Sequence, residues 1–159
     1  MMATIDHPVR LSTGTSEDLD AVMEIMETAF GNRFGEAWTR SQCAGILPMA
    51  GVSLTLARDT EGTTTGFSLV RSVADESELL LIAVSPDHRR KGVGRGLLGH
   101  FLDHARSEGI ARAHLEVREG NPAIHMYRHA GFEPIGRRRN YYRGQDGQQF
   151  DALTFALDL

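Results

Sequence analysis

Seven consecutive residues, Arg89-Arg90-Lys91-Gly92-Val93-Gly94-Arg95, place two glycines among four basic side chains, between an apolar run, Leu79 to Val84, and an amphipathic run, Gly96 to Ala105. Glycine lets a backbone approach an anion closely, and the first four N–H groups of a helix have no intrahelical partner. The helix dipole adds partial positive charge at the same end. Such a turn binds phosphate through main-chain amides, with arginine and lysine adding full charges around it. Spacing excludes two better-known phosphate loops. No Gly-Lys-Ser/Thr follows, and no third glycine stands where a dinucleotide fingerprint requires it.

Other reactive side chains form weaker groupings. His100 and His104 stand four apart, as do His125 and His129, the spacing of a metal pair on a helix. Neither pair has a Glu-x-x-His signature or a third ligand, so both read as surface histidines and no metal is expected. Cys43 is the one cysteine. It excludes an internal disulfide, fits a reducing cytoplasm, and reads as a small buried residue. No Ser/His/Asp arrangement is identifiable.

The elements that must position these residues follow from local patterning. Val9 to Thr13 reads as a strand, and Ser16 caps a helix whose first turn holds Glu17 and Asp18. Leu19, Val22, Met23, Met26 and Phe30 form its buried face. A shorter helix is expected over Glu36 to Ile46, beside Trp38. Val52 to Ala57 and Thr64 to Val73 read as a strand pair joined by the turn Asp59-Thr60-Glu61-Gly62. Leu79 to Val84, apolar at every position, suits a strand covered on both faces. Val93, Leu97, Leu98, Phe101, Leu102 and Ala105 recur at helical spacing, and Gly109 stops that helix. Ala113 to Arg118 is a further strand, and Asn121-Pro122 opens a short helix that ends at Ala130-Gly131. Phe132 to Tyr142 and Phe150 to Leu157 close the chain as a hairpin. The order is βααβββαβαββ, an α/β mixed sheet flanked by helices, with phosphate-binding turns at the carboxyl ends of strands.

Composition bounds the rest. With 159 residues, 41% hydrophobic and 24% charged, residues 1–159 read as a single domain with a real core. A net charge of −4 argues against direct nucleic-acid binding. No run approaches membrane-spanning length, and no signal-peptide core opens the chain, so a cytoplasmic protein without membrane contact is expected. No repeat or low-complexity linker is present, the extension Thr4 to Arg10 has no assigned role, and oligomeric state is not readable.

The element order together with the Arg89-to-Gly94 turn resembles the GNAT acetyltransferase superfamily over essentially the whole chain. Ile82-Ala83-Val84-Ser85-Pro86-Asp87 and Asn121 through Tyr127 to Ala130-Gly131-Phe132 carry the superfamily likeness. Leu115-Glu116-Val117-Arg118 and Arg139-Asn140-Tyr141-Tyr142, followed by Asp146-Gly147, resemble RimI-like protein N-terminal acetyltransferases. The segment Gly31 to Met49 matches less closely. The resemblance implies acetyl-CoA as donor, its pyrophosphate on Arg90, Lys91, Gly92, Val93, Gly94 and Arg95, and its pantetheine arm along Ile82, Ala83 and Val84, with Asn121 further down. It implies strands wedged apart at Val84 and Val117, and a Val84 amide that meets the developing oxyanion.

Amine acetylation requires a neutral amine, donors for the oxyanion, and a proton for the departing thiolate. An α-amine, which ordinarily titrates at about 8, is roughly one-tenth neutral at pH 7, against far less for lysine at about 10.4. A mild base therefore suffices at an N-terminus. By resemblance that base is Glu116, otherwise a surface partner of Arg118 or Arg112, and the acid is Tyr127, protonated at neutral pH. Tyr141, ahead of Tyr142, and Trp38 are implied as substrate contacts. Arg137-Arg138-Arg139 reads as a solvated strand edge. The implied activity is direct transfer in a ternary complex to a protein N-terminus, the N-terminal alanine of a small-subunit ribosomal protein. A GNAT that acetylates lysine or a small amine, and a non-catalytic acyl-CoA-binding module, remain as alternatives.

Overall fold

Local caps set where the helices begin. In the computed structural model, which describes residues 9–159, strand β1 (Arg10–Thr13) leads into a single 3-10 turn, Ser16–Asp18, and then helix α1 (Leu19–Phe30). Residues 4–8 of the N-terminal extension lie outside the described residues. Thr15, not Ser16, is the cap: its hydroxyl accepts the Glu17 N–H at 3.2 Å, while Asp18 accepts the Thr15 N–H at 2.8 Å. Helix α2 spans Arg40–Ile46, shorter than expected, because Thr39 and Gln42 form the same reciprocal cap one step before it. Residues 31–39 therefore remain an irregular connection.

The remaining elements are β2 (Val52–Arg58), β3 (Thr64–Val73), β4 (Glu76–Val84), α3 (Val93–Ser107), β5 (Arg112–Arg118), α4 (Ala123–His129), β6 (Glu133–Arg143) and β7 (Gln149–Asp158). They follow the expected order βααβββαβαββ. One sheet in the order β1-β2-β3-β4-β5-β7-β6 collects all seven strands, and β4–β5 is its parallel pair. Leu19, Val22, Ile25 and Met26 of α1 bury against Leu54, Leu56, Phe67 and Leu81 on one face. Leu98, Phe101 and Leu102 of α3 bury against Val70, Leu79, Leu115 and Phe155 on the other. Each such side chain contributes roughly 1.5–3 kcal/mol when removed from water.

A bulge in β4 decides which face each of its residues meets. Leu69 pairs with Leu81, but Val70 pairs with Leu79, so Leu80 is an extra residue. Side chains alternate along a strand, so one inserted residue exchanges the faces beyond it. Leu79 consequently packs under α3, while Leu81 and Ala83 pack under α1.

Past the bulge the sheet forks. The β4–β5 ladder runs only from Glu76–Arg112 to Leu79–Leu115, whereas β4 stays on β3 to Val84 and β5 stays on β7 to Arg118. Among the described residues, 80–84 and 116–118 thus have no partner strand across the opening. Gly66, opposite Val84, seats α3 at the fork: a Cβ there would lie 2.8 Å from the Ala83 carbonyl oxygen and 3.0 Å from Val93 Cγ1.

Candidate functional site

At the carboxyl end of β4 the chain turns through Arg90 (φ +63°) and Gly92 (φ +82°) before α3 begins. Gly92 is suited to this left-handed conformation, which costs an L side chain roughly 1–2 kcal/mol. Gly96 is the first residue to bond back, to the Gly92 carbonyl at 2.9 Å. The N–H groups from Arg90 to Arg95 meet no acceptor among the described residues. Arg90, Lys91 and Arg95 are exposed around them. Arg89 instead donates to the Ala29 carbonyl at 3.2 Å, tying the turn to the end of α1.

The orphan amides continue into the fork. Ser85 N–H bonds to the Thr65 carbonyl at 2.8 Å. N–H groups alternate between the two edges of a strand, so those of Val84 and Ile82 point away from β3 into the opening. A Cβ at Gly94 would lie 3.5 Å from Met126 Sδ and 3.6 Å from Val84 Cγ2, so the turn, the end of β4 and α4 meet at one mouth. A row of unpartnered N–H groups beside a free strand edge fits an elongated ligand with an anionic group at one end.

Across the fork, Glu116 lies on β5, on the face away from α3. Its Oε1 is 2.7 Å from Arg138 Nε, and its Oε2 is buried without a partner. Burial pushes the carboxyl above its usual range, Arg138 opposes this, Glu78 adds to it and His114 opposes it. The expected partners are engaged elsewhere: Arg112 pairs with Asp158 at 3.7 Å, and Arg118 with Glu36. The arginine run lies exposed on the edge strand β6, as expected, but two of its side chains are paired. Arg137 binds Glu119 at 2.6 Å and Asp151 at 2.7 Å, while Arg138 reaches Glu116.

Tyr127 stands on α4, 5% exposed, its ring edge-on to Phe132 with centroids 6.1 Å apart. Burial, and then the Glu36 charge, hold its phenol well above the usual range, so it stays protonated. Of the tyrosine pair on β6, the structure turns Tyr142 inward, where burial comes first and Glu36, Tyr141, Glu116 and Tyr127 all add to holding its phenol high. Tyr141 is 51% exposed, near the Arg138 guanidinium at 5.6 Å. Tyr141, preferred from the sequence, is thus the exposed member of the pair and Tyr142 the more buried one. The cause is a local irregularity: Arg138 pairs with Ala152 and Tyr142 with Phe150, so residues 139–141 oppose Asp151 alone. Asp151 stabilises the detour by accepting the Asn140 N–H at 2.9 Å, with Asn140 at φ +53°.

Residues 31–39 close the site from the other side. Glu36 Oε2 accepts from Asn121 Nδ2 at 2.8 Å, and Glu36 Oε1 lies 3.2 Å from Arg118 Nε, off the N–H axis, as an ion pair. Arg118 stacks over the Phe34 ring at 3.6 Å, and Phe34 meets Phe150 edge-on at 5.1 Å. The loop also touches the β6–β7 turn backbone to backbone. Gln145 N–H donates to the Asn32 carbonyl at 3.0 Å, and a Cβ at Gly35 or Gly144 would overlap the carbonyl of Arg143 or Arg33. Glu36, Arg118, Arg138 and Phe34 escape sequence reasoning because their partners are distant in the chain. Glu119, within the Arg118-Glu119 pair ahead of the Asn121-Pro122 signal, offers no hint of them either.

Asn121 is already engaged, since its Oδ1 also accepts the Ala123 N–H at 2.9 Å. Trp38 lines a cavity along α1 with Met23, Met26 and Glu27, and packs against the buried cluster that includes Leu81 and Ala83 of β4. Cys43 is buried as expected, with its thiol pushed up by desolvation. His100 and His104 stack with centroids 6.2 Å apart, and no group of three His, Cys, Asp or Glu among the described residues is placed to hold a metal ion. No helix among the described residues is long and apolar enough to cross a membrane.

Residues 19–132 match the sequence model of the Acetyltransferase (GNAT) family. The chain is similar to the [Ribosomal protein bS18]-alanine N-acetyltransferase of Escherichia coli K12, 42% identical over 99 residues that cover 62% of this chain and 66% of that protein. It is also similar to streptothricin acetyltransferase of Streptomyces lavendulae, 37% identical over 105 residues, 64% of this chain and 56% of that protein. Among solved structures, the ribosomal-protein-S18-alanine N-acetyltransferase from Escherichia coli superposes with a TM-score of 0.85 at 33% identity, covering 95% of this chain and 94% of that one.

Proposed function

Because the chain belongs to the GNAT acetyltransferase family, we propose that residues 1–159 act as one domain that transfers acetyl from acetyl-CoA to a protein N-terminus in the cytoplasm, the N-terminal alanine of a small-subunit ribosomal protein being the proposed target. The observation that carries the choice of acceptor is the contact between residues 31–36 and the β6–β7 turn, at Asn32–Gln145, Gly35–Arg143 and Gly144–Arg33. A polypeptide passing straight through the site would have to part those backbones. A chain end does not. The names of the relatives in Escherichia coli support the same reading.

Acetyl-CoA supplies the acetyl group as a thioester. The N–H groups from Arg90 to Arg95 hold its pyrophosphate, and the free edge at Ile82, Ala83 and Val84 receives the pantetheine arm as an added strand. The Val84 N–H donates to the carbonyl oxygen as it gains charge; one such donor is worth about 3–4 kcal/mol. Glu116, anchored by Arg138 through one oxygen, accepts the amine proton on the other, directly or through a water. The Tyr127 hydroxyl donates to the sulfur as it becomes a thiolate. Its raised pKa makes complete transfer uphill, so the tyrosine chiefly stabilises charge, and the proton that the thiol finally carries is one that the nitrogen of the neutral amine loses after attack, as the amide forms. Tyr142 lines the acceptor side. No side chain at the fork has the paired base of an activated nucleophile, which supports direct transfer in a ternary complex.

A second reading, a small-molecule amine acceptor, draws on the likeness to streptothricin acetyltransferase, since a small amine also fits a closed entrance. A panel of peptides varied at the first residue, run beside polyamines and free amino acids with CoA release as readout, separates the two. The proposal expects rates that depend on the first residue and favour alanine. Equal rates on every amine contradict it.

A further inference from the structure

Glu36 is a carboxylate whose side chain is 11% exposed, set in an irregular connection and paired with an arginine side chain that is 9% exposed. A buried ion pair is no bargain in stability, because desolvation offsets most of the Coulomb attraction, and an apolar cluster of similar volume packs as well. What the pair fixes is geometry. Through Oε2, Glu36 holds Asn121, whose Oδ1 in turn caps Ala123 N–H, while Ile124 N–H bonds to the Asn121 carbonyl at 3.1 Å. Those contacts define the first turn of α4, the helix that carries Tyr127. Through Oε1, Glu36 holds Arg118, the last residue of β5, on the same face as Glu116 two positions earlier.

We propose that Glu36 is a positioning residue that locks the Glu116 strand, the Tyr127 helix and the acceptor-side loop into one register through Arg118 and Asn121. This rests on the reading of Glu116 and Tyr127 given above. Glu36 touches no reacting atom. It sets the distance between the group that takes a proton and the group that donates to the sulfur, and it draws Phe34 and Gly35 over the acceptor entrance. It gives Asn121 a positioning task beside the expected donor contact, since one amide N–H and Oδ1 are bonded within the fold and the second N–H is left over.

The test compares Glu36→Ala, Glu36→Gln and Asn121→Ala in the full chain. Readouts are kcat and peptide KM at saturating acetyl-CoA, acetyl-CoA Kd by calorimetry, and the melting temperature. Misplacing catalytic groups by about an ångström costs up to about a hundredfold in rate, so Glu36→Ala should lower kcat by roughly tenfold to a hundredfold. It should also raise peptide KM and leave acetyl-CoA Kd within about threefold. Glu36→Gln, which keeps an acceptor for Asn121, should recover part of kcat. The double variant Glu36→Ala/Asn121→Ala should be no worse than the poorer single one, as expected of residues in one network. Wild-type kcat and peptide KM in a folded Glu36→Ala, or fully multiplicative effects in the double variant, would overturn the proposal. Should Glu36→Ala fail to fold, a folded Glu36→Gln with kcat and KM both at wild-type values would overturn it equally. If the wild-type protein acetylates only small amines, the acceptor reading fails, and the same comparison on that amine still decides the role of Glu36.

Discussion

Arg138 Nε lies 2.7 Å from one oxygen of Glu116, while the other oxygen is buried and unpartnered. One half of the carboxylate is thereby anchored and the other is free to accept a proton. Burial raises its pKa and Arg138 restrains the rise. In the proposed mechanism the charged form is the base, so kcat/KM should fall as acid protonates it. Arg138→Gln removes a lowering influence and should move the acid limb of the kcat/KM profile to higher pH. A limb that stays fixed, or moves to lower pH, contradicts the assignment.

Tyr127→Phe keeps the ring against Phe132 and removes only the hydroxyl. Turnover should drop by roughly a hundredfold, the scale of a lost proton donor, while acetyl-CoA Kd and the melting temperature change little. Stopped-assay kinetics at saturating donor check this. Full turnover would exclude the Tyr127 hydroxyl as the donor to the sulfur.

Gly66→Ala places a Cβ 2.8 Å from the Ala83 carbonyl oxygen, beside the first turn of α3. Overpacking of this kind costs about 1–3 kcal/mol. The relaxation should shift the Arg90-to-Arg95 amides, proposed to hold the donor, so both the melting temperature and acetyl-CoA affinity should fall. Calorimetry measures both.

Gly144→Ala overlaps the Arg33 carbonyl and should push the β6–β7 turn from residues 31–36. If that contact excludes internal residues, the variant should acetylate peptide lysines faster relative to α-amines than the wild type does. Mass spectrometry of a lysine-containing peptide gives the ratio; an unchanged ratio removes the contact as the selecting element.

The strand, turn and helix around Arg89 to Arg95 were legible because their information is local: an apolar run, two glycines and a 3.6-residue period in adjacent windows. The seven strands and their order followed from the same kind of signal. The bulge at Leu80 was hidden, since Leu79 to Val84 is apolar at every position and gives no cue to which face each residue meets. Which of Tyr141 and Tyr142 turns inward was hidden for a similar reason; three residues opposite Asp151 decide it. The pairings of Glu116 with Arg138 and of Glu36 with Asn121 span 22 and 85 positions, beyond the reach of any local pattern. The helix expected from Glu36 began later because the Thr39–Gln42 cap outcompeted it.

The proposed function requires that the site take a chain end. One peptide that begins with alanine and carries an internal lysine, prepared with a free and with a blocked N-terminus, tests it most directly by CoA release under saturating acetyl-CoA. The free peptide should turn over and gain its acetyl group on the terminal nitrogen, while the blocked one should release no CoA above background. Equal release from the two would contradict the account.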